Sequence, residues 1–273
     1  MIELSGKETG GSTQRITWLH WWSDRVLSFR ITRPPDYHFS AGQYARLGLP
    51  TAQNAELVWR AYSLVSASSD SELEFLAVIV PGGAFSSALR QCKVGDALQL
   101  DAKVFGFMTP SRFADGRHLW MIATGTGLGP FISMLREAEI WQRFEQLTLV
   151  HGVRNRSEIT YADELAELTH RPSSSDARAR LRVLYAVTRE AHQQTPAPSD
   201  GGELVFLDGR ITTLLTSGAL ERAAGIPMEA ADARVMLCGN PAMIEEMRAL
   251  LHARTMRPCR RALPGQFLTE NYW

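Results

Sequence analysis

The run "HLWMIATGTGLGPF", residues 118–131, constrains the fold more than any other stretch. Its first half is continuously apolar and lacks the alternation of a half-buried strand, so it reads as a buried strand. It ends in a glycine turn and opens a helical pattern, with Phe131, Met134, Leu135, Ala138 and Trp141 at roughly helical spacing. The same grammar recurs downstream. "QLTLVHGVR" is followed by a helix candidate near "YADELAEL", then by the run "LRVLYAVTRE". "ARVMLCGNP" leads into Met243, Ile244, Met247, Leu250 and Leu251, one helical face. Strands alternating with helices require crossover connections, which imply an α/β doubly wound parallel sheet.

Residues 1 to about 110 follow a different rule. "RVLSFRITRP", "QYARLGLP", "AYSLVSAS", "LEFLAVIVP" and "DALQLDAKV" are short β-type runs separated by Pro, Gly, Asp and Ser. That spacing suggests an antiparallel barrel or sandwich. The change falls near "TPSRFADGR", residues 109–117, giving expected domains 1–113 and 114–273. "HRPSSSDARAR" and "EAHQQTPAPSDGGE" read as solvated loops. Trp18, Trp21 and Trp22 in "WLHWW" read as packing residues.

Composition excludes little but guides expectation. With 45% hydrophobic residues a core is available, and 29 basic against 29 acidic side chains leave the formal charge at zero. Neutrality gives no global argument for nucleic acid or a membrane surface. Cys92, Cys238 and Cys259 are scattered and form no CxxC pair, so no metal or cluster site is expected. No run approaches the ~18 apolar residues of a membrane span, and the first residues lack the grammar of a signal peptide. The expectation is a cytoplasmic protein.

Four stretches and three further arginines carry chemistry. In "RAYSLVSAS", Arg60 offers a fork of donors suited to phosphate, Tyr62 a flat ring and Ser63 a small hydroxyl. An ordinary half-exposed strand accounts for the same residues. "PGGAFSSALR" places glycines before Ser86 and a helix start, where free N–H groups bind anions, or it is a hairpin turn with a capped helix. "ATGTGLGPF" is a glycine turn between strand and helix; Pro130 breaks the GxGxxG fingerprint, and no GK[ST] follows. "LCGNPAM" puts Cys238 at the carboxyl end of a strand, with Asn240 suited to cap and Pro241 to start the helix. A buried structural cysteine is the plainer reading. Arg154, Arg189 and Arg210 each follow a strand or turn; alone each is a surface charge, together they suit a phosphate. His151 reads as a structural hydrogen bonder rather than an acid or base.

In order, these stretches resemble the ferredoxin/flavodoxin–NADP reductase family, in its bacterial branch. The resemblance rests on "FSAGQYARLGL", "RAYSLVSAS", "LEFLAVIVPGGAFSSAL", "GTGLGPF", "HGVRNRSEITY", "VTRE", "GRIT", "LCGNPAM" and "PGQFLTENYW". It implies an FAD-binding antiparallel β-barrel and an NADP(H)-binding α/β domain whose tail returns to the flavin. By the family pattern Arg60 contacts the FAD pyrophosphate, Tyr62 packs on the isoalloxazine and Ser63 sits near flavin N5. Ala61, Ala77, Val78, Ile79, Ala84, Phe85 and Ser86 hold the remainder of FAD. Thr126 lies between flavin and nicotinamide nucleotide. Val153, Arg154, Thr188, Arg189 and Arg210 hold the adenosine end, while Cys238, Gly239, Asn240 and Pro241 border the nicotinamide. Glu270 fills the acidic tail position. Tyr272 and Trp273 belong to the flavin site, with Trp273 covering the face that nicotinamide must reach. Thr188 stands where related chains often carry Ser, and Ala84 where some carry a basic residue.

The implied activity is hydride transfer between NADP(H) and FAD, with single electrons passing to ferredoxin or flavodoxin, in a monomer. A reductase feeding an oxygenase and a non-catalytic flavin or NADPH sensor are the alternatives.

Overall fold

The computed structural model describes residues 10–51, 54–171, 178–190, 204–260 and 263–271. The expectations for Tyr272 and Trp273 lie outside the described residues, as do residues 172–177 and 191–203 of the polar loops. The described chain forms two compact units. One contains residues 10–109 and 129–136, the other 110–128 and 137–271. The segment 129–136, expected with the second half, thus groups with the first.

The first unit is built on strands β1 (Gly11–Trp21), β2 (Val26–Thr32), β3 (Tyr44–Thr51), β4 (Asn54–Ser63), β5 (Glu72–Val78) and, after helix α1 (Ala84–Gln91), β6 (Ala97–Phe105). They form one antiparallel sheet in the order β4-β3-β6-β1-β2-β5. A bridge between Leu64 and Phe75, with Val65 N–H donating to the Glu74 carbonyl at 2.8 Å, brings the two edges together. The sheet is therefore a barrel, which removes the open edges of a flat sheet. Ile16, Leu27, Phe29, Phe75 and Leu100 fill its interior. The three tryptophans pack on the outside instead. β1 was not among the strands read from sequence; its alternation sets Trp18 stacked on His20 and His20 edge-on to Trp22, with the Arg30 guanidinium over Trp18. Trp21 remains 41% exposed.

The second unit holds β7 (His118–Thr124), and the chain then enters α2 (Gly129–Leu135), which belongs to the first. The second unit continues with α3 (Ala138–Arg143), β8 (Gln146–Val153), α4 (Ala162–Thr169), β9 (Arg180–Val187) and β10 (Leu204–Asp208). Then follow α5 (Ile211–Thr216), α6 (Ala219–Ala224), β11 (Ala233–Gly239), α7 (Pro241–Ala253) and β12 (Phe267–Asn271). Its sheet is parallel, ordered β10-β9-β8-β7-β11-β12. From β7 the chain winds outward to β10, then returns to lay β11 on the other side of β7. Such a reversal opens a crevice at the carboxyl ends of the two strands, where doubly wound sheets bind ligands.

The helical pattern after the glycine turn is two helices, not one. Glu137 is extended, so the helix is interrupted after Arg136, which faces the barrel. Its guanidinium reaches the Val65 carbonyl at 3.0 Å and the Glu74 carboxylate at 3.1 Å. Ser133 donates to the Ser66 carbonyl at 2.6 Å, so α2 is fastened to the barrel twice. Glu74 is 3% exposed and also meets Arg30 at 3.2 Å. Arg136→Met leaves this carboxylate half-compensated and should cost about 3 kcal/mol. Urea unfolding of the variant measures it; a midpoint within error of wild type contradicts the assignment.

Candidate functional site

Each unit carries a candidate site of its own. On the barrel, β4 is regularly paired through Arg60–Ser63, so Arg60 and Tyr62 share one face and Ser63 lies on the other. Arg60 is exposed and rests against the Trp59 carbonyl at 2.8 Å. The Tyr62 ring lies against Phe85 and edge-on to Phe29. Burial drives its phenol far above the ordinary range, with Arg60 opposing. Ser63 is 7% exposed. Gly129 packs beside it, since a Cβ there would touch the Ser63 and Val65 side chains.

Strand β5 delivers Ala77 and Val78 into the turn that follows, with Ile79 buried beyond its end. Gly82 takes a positive φ of 76°, and Gly83 precedes α1. The Ser86 hydroxyl accepts from the Val80 N–H at 3.1 Å and lies 3.0 Å from the Val80 carbonyl. That hydroxyl braces the turn and leaves the helix start without a side-chain cap. The N–H groups of Ala84 and Phe85 therefore remain first-turn donors, the arrangement that accepts a phosphate. An exposed guanidinium, a flat aromatic ring and an uncapped helix start fit the pyrophosphate and ring of a flavin dinucleotide.

On the second unit the strand ends converge at the crevice. The 3-10 turn Gly125–Leu128 follows β7 directly. Gly127 is pressed onto β11: a Cβ would stand 2.5 Å from the Cys238 carbonyl oxygen. Gly239, at φ +129°, lies against Thr124, whose hydroxyl accepts the Asn240 N–H at 2.7 Å. The Asn240 carboxamide accepts from Ala242 and Met243 N–H groups, and Pro241 starts α7. Asn240 and Pro241 thus have a structural duty as cap and first helical residue. Thr126 is half-buried in the turn, and Cys238 is fully buried.

Arg154, Arg189 and Arg210 follow β8, β9 and β10, three consecutive strands of one edge. The Arg189 N–H bonds the Arg154 carbonyl at 2.8 Å, and the Thr188 hydroxyl lies 3.3 Å from the buried Val153's carbonyl. Glu158, which sequence reasoning missed, bridges Arg154 at 2.6 Å. Against desolvation, its bonds to Arg154 hold its carboxyl below the usual range. Also missed was Arg156, whose guanidinium lies 4.3 Å over the Phe206 ring. Both lie in the stretch "HGVRNRSEITY", and a spacing of four from Arg154 was the further signal for Glu158.

Glu270 sits beside Cys238 in the β11–β12 register. Its Oε2 is buried with no partner among the described residues, and desolvation raises its pKa to about 8. The carboxyl is thus mostly protonated at neutral pH.

This geometry defines a class: an oxidoreductase with a flavin-binding barrel and a dinucleotide-binding sheet. Residues 21–107 match the model of the oxidoreductase FAD-binding domain and residues 121–249 that of the oxidoreductase NAD-binding domain. The ferredoxin–NADP reductase of Pseudomonas aeruginosa is 34% identical over 262 residues, covering 94% of this chain and 96% of that one. The flavodoxin/ferredoxin–NADP reductase of Escherichia coli is 36% identical, covering 96% and 98%. A crystal structure of a ferredoxin NADP+ reductase from Neisseria gonorrhoeae with bound FAD and NADP superimposes with a TM-score of 0.86. It is 33% identical, covering 97% of this chain and all of that one. The chain belongs to the ferredoxin/flavodoxin–NADP reductase family. Among the described residues no helix is long and apolar enough to cross a membrane.

The Glu270 carboxyl has a checkable consequence. Because its folded pKa is raised, its contribution to stability is full below about pH 4.5 and falls as pH rises toward 8. Glu270→Gln should therefore gain thermal stability relative to wild type as pH goes from 5 to 8. Melting curves across that range test this, and a pH-independent difference refutes it.

Proposed function

We propose that this chain oxidises NADPH and passes the electrons singly to ferredoxin or flavodoxin, with FAD bound at the barrel. The observation that carries the reading is the second unit's edge. A glycine turn at the switch point and arginines after the next three strands span three strand spacings of about 4.8 Å, roughly 14 Å. That span suits an extended dinucleotide, with the turn at its nicotinamide end and the guanidiniums at its adenosine phosphate.

FAD, when bound, supplies a chemistry that accepts a hydride and releases electrons one at a time. The chain's task is to bind, orient and manage protons. Arg60, with the N–H groups of Ala84 and Phe85, holds negative charge on the barrel. Tyr62 offers an aromatic face whose phenol stays protonated. The Ser63 hydroxyl holds a proton it can share with an acceptor nitrogen, orienting the reacting ring. The close Gly127–Cys238 approach fixes the backbone beside the nicotinamide position. Glu270 carries a proton at its carboxyl and titrates near neutrality, so it can exchange that proton during turnover. Trp273 is assigned by resemblance to cover the flavin until nicotinamide displaces it.

Preference for NADP over NAD rests on the arginines. Both arginines are exposed, but Arg154 is already bonded to Glu158. Arg189 therefore contributes more toward a 2′-phosphate.

Two experiments address these roles. Ser63→Ala should slow anaerobic stopped-flow reduction by NADPH by about 10²-fold while FAD content stays the same. An unchanged rate removes Ser63 from the chemistry. Arg189→Ala should raise the NADPH KM by about tenfold, from loss of a charged hydrogen bond, and Arg154→Ala by less. Equal effects on NADH and NADPH would argue against a 2′-phosphate site.

A further inference from the structure

His151 is buried in the parallel sheet at the carboxyl end of β8. Its Nε2 lies 3.1 Å from the Gly125 carbonyl oxygen, the first residue of the glycine turn. A carbonyl can only accept, so Nε2 carries the proton and the ring is a neutral Nε2–H tautomer. The other nitrogen, Nδ1, is buried and has no partner among the described residues. Leucine or phenylalanine at this sheet position would avoid that exposed deficit in hydrogen bonding. The contact with Gly125 is what only a long, flat donor supplies.

The ring is also held laterally. Tyr185, its neighbour across β9, has its ring centroid at 6.3 Å from His151, and Phe206 on β10 stacks on Tyr185 at 5.1 Å. Arg156 covers Phe206 from the loop after β8. Packed rings thus run from the arginine end of the sheet to the glycine turn. Gly125 itself has φ +53° and open space where a side chain would stand, so its own sterics do not fix the turn. In a trans peptide, the Thr126 N–H points opposite to the Gly125 carbonyl. Holding that carbonyl toward the sheet turns the Thr126 N–H away from it.

We propose that His151 is a positioning residue: by anchoring the Gly125 carbonyl it aims the Thr126 N–H and the glycine turn for the nicotinamide. The assignment rests on the reductase reading above and adds the residue that sets the turn. His151 acts through Gly125 and touches neither substrate nor flavin.

Two substitutions separate donor from ring. His151→Phe keeps the flat ring beside Tyr185 and loses the donor. His151→Gln loses the ring and keeps an N–H at similar reach. In the FAD-loaded protein, hydrogen exchange of a peptide covering Gly125–Leu128 should quicken by about tenfold in His151→Phe and by much less in His151→Gln. At saturating NADPH, the stopped-flow reduction rate should fall about tenfold in His151→Phe, with the apparent Kd for NADPH little changed. His151→Gln should recover most of that rate. Nitrogen NMR of the unmodified protein should show His151 as the Nε2–H tautomer between pH 6 and 8. An Nδ1–H tautomer, wild-type exchange and rate in His151→Phe, or equal impairment of both folded variants overturns the proposal. If the unmodified protein is not reduced by NADPH, the reductase reading fails, and exchange and tautomer still decide the role of His151.

Discussion

The contact on which the nucleotide edge depends is between backbones: Gly127 against the carbonyl of Cys238. A Cβ at Gly127 would stand 2.5 Å from that oxygen and 2.8 Å from the Gly239 Cα. Next to it, Gly239 meets Thr124 at distances that exclude a Cβ as well. The ends of β7 and β11 therefore approach more closely than side chains permit. The crevice made by the reversal of strand order is walled by peptide groups rather than by mobile side chains. Peptide groups do not change rotamer, so the wall is a fixed reference for a bound dinucleotide.

The barrel solves a related problem by other means. Its turn before α1 uses Ser86 internally, bonding the hydroxyl to Val80. A hydroxyl that capped α1 instead would occupy the donors a phosphate needs. Leaving the cap empty costs helix stability, about 1 kcal/mol for a missing cap. Burial of Phe85 and Leu89 in the barrel holds the helix in place without a cap.

Much of this was legible in the sequence, and the reasons differ by element. β7, β8, β9 and β11 are continuous apolar runs because both their faces are covered, so burial wrote itself into composition. β10 and β12 are five residues each at the sheet edges, and β12 carries Thr269, Glu270 and Asn271; such strands lack a periodic signal. β1 was missed because its outer face is aromatic, which masks the alternation. The break between α2 and α3 was invisible because neither Arg136 nor Glu137 is a Gly or Pro that would mark a helix end. At the strand ends, residue types with strong chemistry stood out in the sequence, whereas the Arg156–Phe206 contact and the His151–Gly125 bond follow from folded proximity alone. The arginines illustrate the limit: sequence placed three of them on one edge, and only the structure shows that Glu158 engages one.

Among the buried polar atoms without partners among the described residues are Glu270 Oε2 on β12 and His151 Nδ1 on β8 of the parallel sheet. Each such orphan costs about 1–3 kcal/mol, against a total stability of roughly 5–15 kcal/mol for a domain. Their ionisations are pushed in opposite senses by the same desolvation, the carboxyl up to about 8 and the imidazole down to about 4. Both groups are consequently neutral near pH 7, one holding a proton at its carboxyl and the other at Nε2. Desolvation decides both: for His151 it outweighs the nearby Glu158 charge, and for Glu270 it is the sole cause of the shift. Neutrality through burial keeps both groups from adding charge to the sheet. The stability lost to the two orphans thus leaves His151 and Glu270 as uncharged polar groups near pH 7, one a donor at Nε2 and the other at its carboxyl.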